Sequence, residues 1–75
     1  MLRMYRSIRL KWTDSELVAE KLFEMNKATN PLTLRFTDLH RMVVELPDFK
    51  ESADKSSEAK LEGIQMAWLE LYEDK

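Results

Sequence analysis

The chain has 75 residues, 44% hydrophobic and 35% charged, with one Gly, two Pro and no Cys. A chain of that length makes one small domain, buries only about 60% of its unfolded surface and has no room for a deep substrate cavity. Lack of cysteine excludes disulfides, thiolate metal sites, Cys-ligated clusters and a Cys nucleophile.

The net charge of −2 is unevenly spread. Arg3, Arg6, Arg9 and Lys11 sit in residues 1–12 with no acid, leaving 14 acids against 8 bases in residues 13–75. An acidic body is repelled by phosphate backbones, which argues against nucleic-acid binding. It is attracted to basic protein surfaces and hard cations. No apolar run approaches the ~20 residues of a membrane span. Residues 1–9 form a basic, loosely amphipathic N-terminal extension, either a frayed terminus or the remnant of an organellar targeting signal. Residues 10–75 form the single domain.

In chain order, Leu10-Lys11-Trp12 is the first short extended piece. Thr13-Asp14-Ser15-Glu16 has the form of a capping box opening helix 1, in which Leu17, Val18, Leu22 and Met25 recur at helical spacing. Asn30-Pro31 marks a turn, and Leu34-Arg35-Phe36 alternates as a second extended piece. Thr37 caps helix 2, with Asp38 in the first turn, where the dipole favours an anion. This helix runs through Leu39, Met42, Val43 and Leu46, and Pro47 stops it. Asp48 to Lys55 reads as a loop anchored by Phe49. Ser56 or Ser57 opens helix 3, whose Leu61, Ile64, Trp68 and Leu71 form a stripe widened by Ala67 and Tyr72. Gly63 costs this helix about 1 kcal/mol relative to Ala, which points to close packing or a bend. The fold class is mainly α: a small three-helix, winged-helix or helix-turn-helix-like domain. It has at most a short two-stranded ribbon, joining residues 10–12 to residues 34–36.

The chemistry is sparse. His40 is the single histidine, and Asp38, two residues earlier, does not share its helix face, so no nucleophilic triad forms. One histidine does not make a transition-metal site. Trp12, Phe36, Phe49 and Trp68 fall in or beside apolar stripes and read as core rather than base-stacking groups. Glu16, Glu20 and Glu24 stand at i, i+4 spacing with only Lys21 interspersed; such like-charge repulsion is mildly destabilising and suits a partner or an ion. The sequence describes a binding domain and not an enzyme.

Leu10-Lys11-Trp12-Thr13-Asp14-Ser15, Arg35-Phe36-Thr37-Asp38-Leu39-His40, Asp48-Phe49 and Ala67-Trp68-Leu69 together resemble the IscX family of iron–sulfur cluster assembly proteins over about residues 10–72. The resemblance implies a small acidic adaptor that docks on a basic surface of a pyridoxal-phosphate cysteine desulfurase. It would modulate sulfur transfer there and compete with frataxin-like proteins, with ferredoxin as a further partner. It also implies weak ferrous iron binding by surface carboxylates and no tightly bound cofactor, the alternative function being an iron carrier or donor. The family acids fall here at Asp14, Glu20, Glu24, Asp38, Glu45, Asp48 and Glu70. The partner face is then Asp14, Glu16, Glu20, Glu24, Asp38 and Glu45, and the metal ligands are Glu20, Glu24, Asp38 and Asp48, with His40 structural near the start of helix 2. The implied protein is a monomer of the cytoplasm, or of the mitochondrial matrix if residues 1–9 are a targeting remnant. Two loops depart from the family's acidic pattern, Asn26–Pro31 and Lys50–Lys55. Both remove carboxylates from the candidate iron ligands while leaving those of helices 1 and 2.

Overall fold

The structure, a computed structural model, describes residues 9–74; residues 1–8 of the basic extension lie outside them. Three helices follow one another: α1 (Ser15–Met25), α2 (Phe36–Val44) and α3 (Glu58–Glu73). Short 3₁₀ turns occupy Pro31–Thr33 and Ala53–Lys55. Among the described residues no helix is long and apolar enough to cross a membrane.

The start of α1 differs from the expected Thr13–Glu16 capping box. Asp14 is the N-cap, and its side chain makes no capping bond. Its carboxylate instead turns back to accept the Lys11 N–H at 2.9 Å, while the Asp14 N–H donates to the Lys11 carbonyl at 2.9 Å. This closed turn fixes the chain just before the helix. Val18, Ala19 and Leu22 then face inward, all at most 1% exposed. At the far end the Asn26 side chain donates to the Leu22 carbonyl at 3.0 Å and satisfies one of the helix's orphan acceptors.

Asn30 and Pro31 make the expected turn. Asn30 Oδ1 accepts from the Leu32 N–H at 3.0 Å, and the Gln65 amide of α3 donates to the Pro31 carbonyl at 3.2 Å. Residues 34–36 do not form a strand. The Leu34 N–H is bonded to the Pro31 carbonyl at 3.2 Å, and Phe36 is already the first residue of α2. Thr37 therefore sits inside the first turn rather than capping it. Arg35 is the N-cap, and its N–H donates to the Asp38 carboxylate at 3.4 Å.

The partner expected for Leu10 is thus occupied, and Leu10 pairs elsewhere. Its N–H donates to the Asp48 carbonyl at 2.9 Å, and its carbonyl accepts from the Lys50 N–H at 3.1 Å, a parallel bridge opposite Phe49. This single bridge replaces the expected ribbon; among the described residues no strand forms. It draws the chain's start against the segment after α2.

Ser57 is the residue that caps α3, its Oγ accepting the Lys60 N–H at 3.2 Å. Leu61, Ile64 and Trp68 are buried, and α3 packs chiefly along α1. Gly63 marks the close approach: a Cβ there would stand 3.3 Å from Ser15 Oγ. The core joins these helices to Leu10, Trp12, Leu39, Val43, Leu46 and Phe49.

Two fully buried tryptophans stand in opposite polar situations. Trp12 Nε1 donates to the Ser52 carbonyl at 2.9 Å, whereas Trp68 Nε1 is buried with no hydrogen-bond partner among the described residues. Removing an N–H that already lacks a partner forfeits no hydrogen bond. We expect Trp12→Phe to destabilise the fold by about 1 kcal/mol more than Trp68→Phe, the two losing the same ring volume. Urea midpoints of the two variants check this, and equal midpoints would contradict it.

Candidate functional site

Because α1 turns Val18, Ala19 and Leu22 to the core, its acids are left outward, and Leu17 and Met25 of the expected apolar stripe are exposed with them. Glu16, Glu20 and Glu24 are all exposed. Glu16 and Glu20 face Glu70 of α3 across a shallow cleft floored by Ala67 and Leu71. Among the described residues no cation lines that cleft, which three carboxylates share. Glu24, one turn further along, borders a different cleft together with Asp48 and Lys21. Glu45, exposed just after α2, borders a neighbouring one with Met25 and Met42.

The other two expected partner residues have local duties. Asp14 holds the turn before α1 through the Lys11 N–H. Asp38 accepts from the Arg35 N–H and pairs with Arg41 at 3.5 Å, the one ion pair among the described residues. Both side chains of that pair are well exposed, so it contributes about 0–1 kcal/mol. The acids read from the sequence as one face are therefore distributed. Glu16, Glu20 and Glu70 form one cluster, Glu24 with Asp48 and Glu45 a second patch, and Asp14 and Asp38 stand in hydrogen bonds of their own. Of the four candidate iron ligands, only Glu24 and Asp48 border a common cleft. Among the described residues no three His, Asp or Glu side chains converge as a metal site.

His40 takes the structural role. Its ring stacks on Trp12, with centroids 5.1 Å apart and planes 26° from parallel, and Nε2 donates to the Ala53 carbonyl at 2.9 Å. Trp12 also meets Phe49 edge-on at 4.8 Å. The same 3₁₀ turn carries an Asp54 carboxylate that accepts from the Ser52 hydroxyl; this bond holds the group below the usual carboxylate range.

One acid was missed as a structural group. Glu51 Oε1 accepts the backbone N–H of Trp12 at 2.7 Å. In the sequence it stands in a loop of mixed charge, 39 residues from its partner, and no local pattern signals the bond. Glu51→Ala strands a largely buried N–H and should cost roughly 1–3 kcal/mol, with most of it restored in Glu51→Gln, which keeps an acceptor oxygen. Thermal or urea unfolding of the two variants tests this; equal losses would contradict it.

A family model described as "Iron-sulphur cluster assembly" matches residues 10–73. An uncharacterised protein of Pseudomonas aeruginosa is 46% identical over 61 residues, which cover 81% of this chain and 92% of that protein.

Proposed function

The chain belongs to the IscX family of iron–sulfur cluster assembly proteins, and on that premise we propose that it is an acidic adaptor that binds a cysteine desulfurase and modulates sulfur transfer. The observation that carries this reading is the Glu16–Glu20–Glu70 cluster, three carboxylates across one shallow cleft on the α1–α3 face that no cation lines among the described residues. Keeping like charges together has a small stability cost, which a basic partner would offset. Glu24 extends the same row along α1 and broadens the field presented to that partner.

The mechanism is electrostatic. An acidic face steers the domain onto a basic patch of the desulfurase and speeds association, and added salt screens the attraction over a Debye length of about 8–10 Å. Proteins of frataxin type would compete for the same basic patch, and ferredoxin is a further candidate partner. A second reading, carriage of ferrous iron, is favoured by Glu24 and Asp48 bordering one cleft. Two carboxylates supply only part of the six or more oxygen ligands typical of hard cations, so the ion would be held weakly and keep several waters.

Titration of the full chain against a cysteine desulfurase at low and moderate salt tests the adaptor reading. Glu20→Lys with Glu24→Lys should weaken binding by roughly tenfold or more at low salt, with a smaller effect at high salt. Absence of binding at low salt, or an affinity indifferent to both reversals, would overturn it.

A further inference from the structure

The chain has no thiolate and a single imidazole, but it holds five methionines, and a thioether is also a soft metal ligand. Two of the five meet at one place. Met25, the last residue of α1, and Met42 of α2 border the same cleft, together with Leu22, Asn26, Glu45 and Leu46. Their situations differ in a useful way. Met42 is half-buried and packed against the core, which holds its stem. Met25 is 65% exposed, more than any other large hydrophobic residue among those described, so its side chain is open to incoming solutes.

We propose that this cleft binds one soft monovalent cation, copper(I) in class, through the Met25 and Met42 thioethers and the Glu45 carboxylate. Glu45 follows Met42 by three residues and caps α2 in helical conformation, so the two share one face of the helix end. It is exposed, and it forms no ion pair among the described residues. Nor does any Lys, Arg or His among them border the cleft. The carboxylate neutralises the ion, and the thioethers supply the soft donors that copper(I) selects. Methionine has three rotatable bonds, which lets two sulfurs from neighbouring helices converge on one ion. Asn26 donates its Nδ2 to the Leu22 carbonyl at 3.0 Å, leaving the amide oxygen as a further ligand. Hard cations take six or more oxygens, a set this cleft does not supply. The site is therefore distinct in place and chemistry from the cleft shared by Glu24 and Asp48.

A bound ion would tie the end of α1 to the end of α2, whereas α1 itself packs chiefly along α3. Because the donors come together only in the folded chain, binding stabilises the fold by linkage.

Silver(I) in chloride-free buffer is the probe, since it has the charge and ligand preference of copper(I) and is stable to air. The full chain, labelled at its methionine methyls, is titrated with silver nitrate by NMR in the presence of excess magnesium. The Met25 and Met42 signals should shift together and stop at one ion per chain, while Met66, which does not border the cleft, stays in place. Silver should also raise the urea midpoint of the parent chain and lose that effect in the Met25→Leu, Met42→Leu variant, whose substitutions nearly conserve volume. Three results would overturn the proposal: Met66 shifting in step with the pair, silver shifting Met1 and Met4 while Met25 and Met42 stay, or an equal rise in midpoint in the double variant. Suppression of the shifts by magnesium would overturn it as well, because it marks attraction to carboxylates alone. Neither desulfurase nor iron is present, so the outcome is independent of the adaptor reading.

Discussion

The structure depends on how Trp12 is enclosed. Its ring is fully buried, stacked on His40 of α2 and met edge-on by Phe49. Both of its N–H groups are satisfied from the loop before α3, the backbone one by Glu51 and the indole one by the Ser52 carbonyl. One side chain thus ties the chain's start, the second helix and the loop that leads into the third. An indole of this size removes a large apolar area from water, and an unpaired buried N–H beside it would offset part of that gain. The Leu10 bridge, the 3₁₀ turn at Ala53–Lys55 and the His40 bond to Ala53 cooperate in the same closure. With this end of the domain held by apolar and hydrogen-bonded groups, the acids of α1 are free of structural duty.

That division of labour separates two kinds of carboxylate. Asp14, Asp38 and Glu51 accept backbone N–H groups and hold turns or helix starts. Glu16, Glu20, Glu24 and Glu70 border open clefts on the helix surfaces. The first kind stabilises the fold through charge-assisted hydrogen bonds, which are stronger than neutral ones. The second kind contributes a field that reaches into solvent, and membership in an iron–sulfur assembly family gives that field a class of partner. Met25, 65% exposed, borders a cleft with Met42 and Glu45 where this acidic surface meets apolar area.

The helices were legible because their apolar periodicity is strong. Val18 with Leu22, Leu39 with Val43, and Leu61, Ile64 and Trp68 were each read from spacing and are each buried. The Ser57 cap and the close approach at Gly63 were equally local signals. Errors arose where a long-range bond overrode a local preference. Thr13 and Thr37 have the right side chain for a cap, but Asp14 is drawn back to Lys11 and α2 starts one residue before Thr37. Leu34-Arg35-Phe36 alternates like a strand, yet Phe36 is taken into α2 and Leu10 turns to the Asp48–Lys50 segment instead. The exposed row on α1 was legible from i, i+4 spacing. Its separation into the Glu70 cluster and the Glu24 patch was not, because that depends on where α3 and the Asp48 loop lie against α1.

The most direct test of the account is residue-resolved mapping of the bound surface. A ¹⁵N-labelled full chain titrated with a cysteine desulfurase should lose amide intensity first along the exposed side of α1 and around Glu70 of α3. Signals of Trp12, His40 and the Ala53–Lys55 turn should persist to higher ratios. The reverse order, with the Trp12–His40 side contacted first and α1 unaffected, would contradict the assignment of the α1 acids as the docking face.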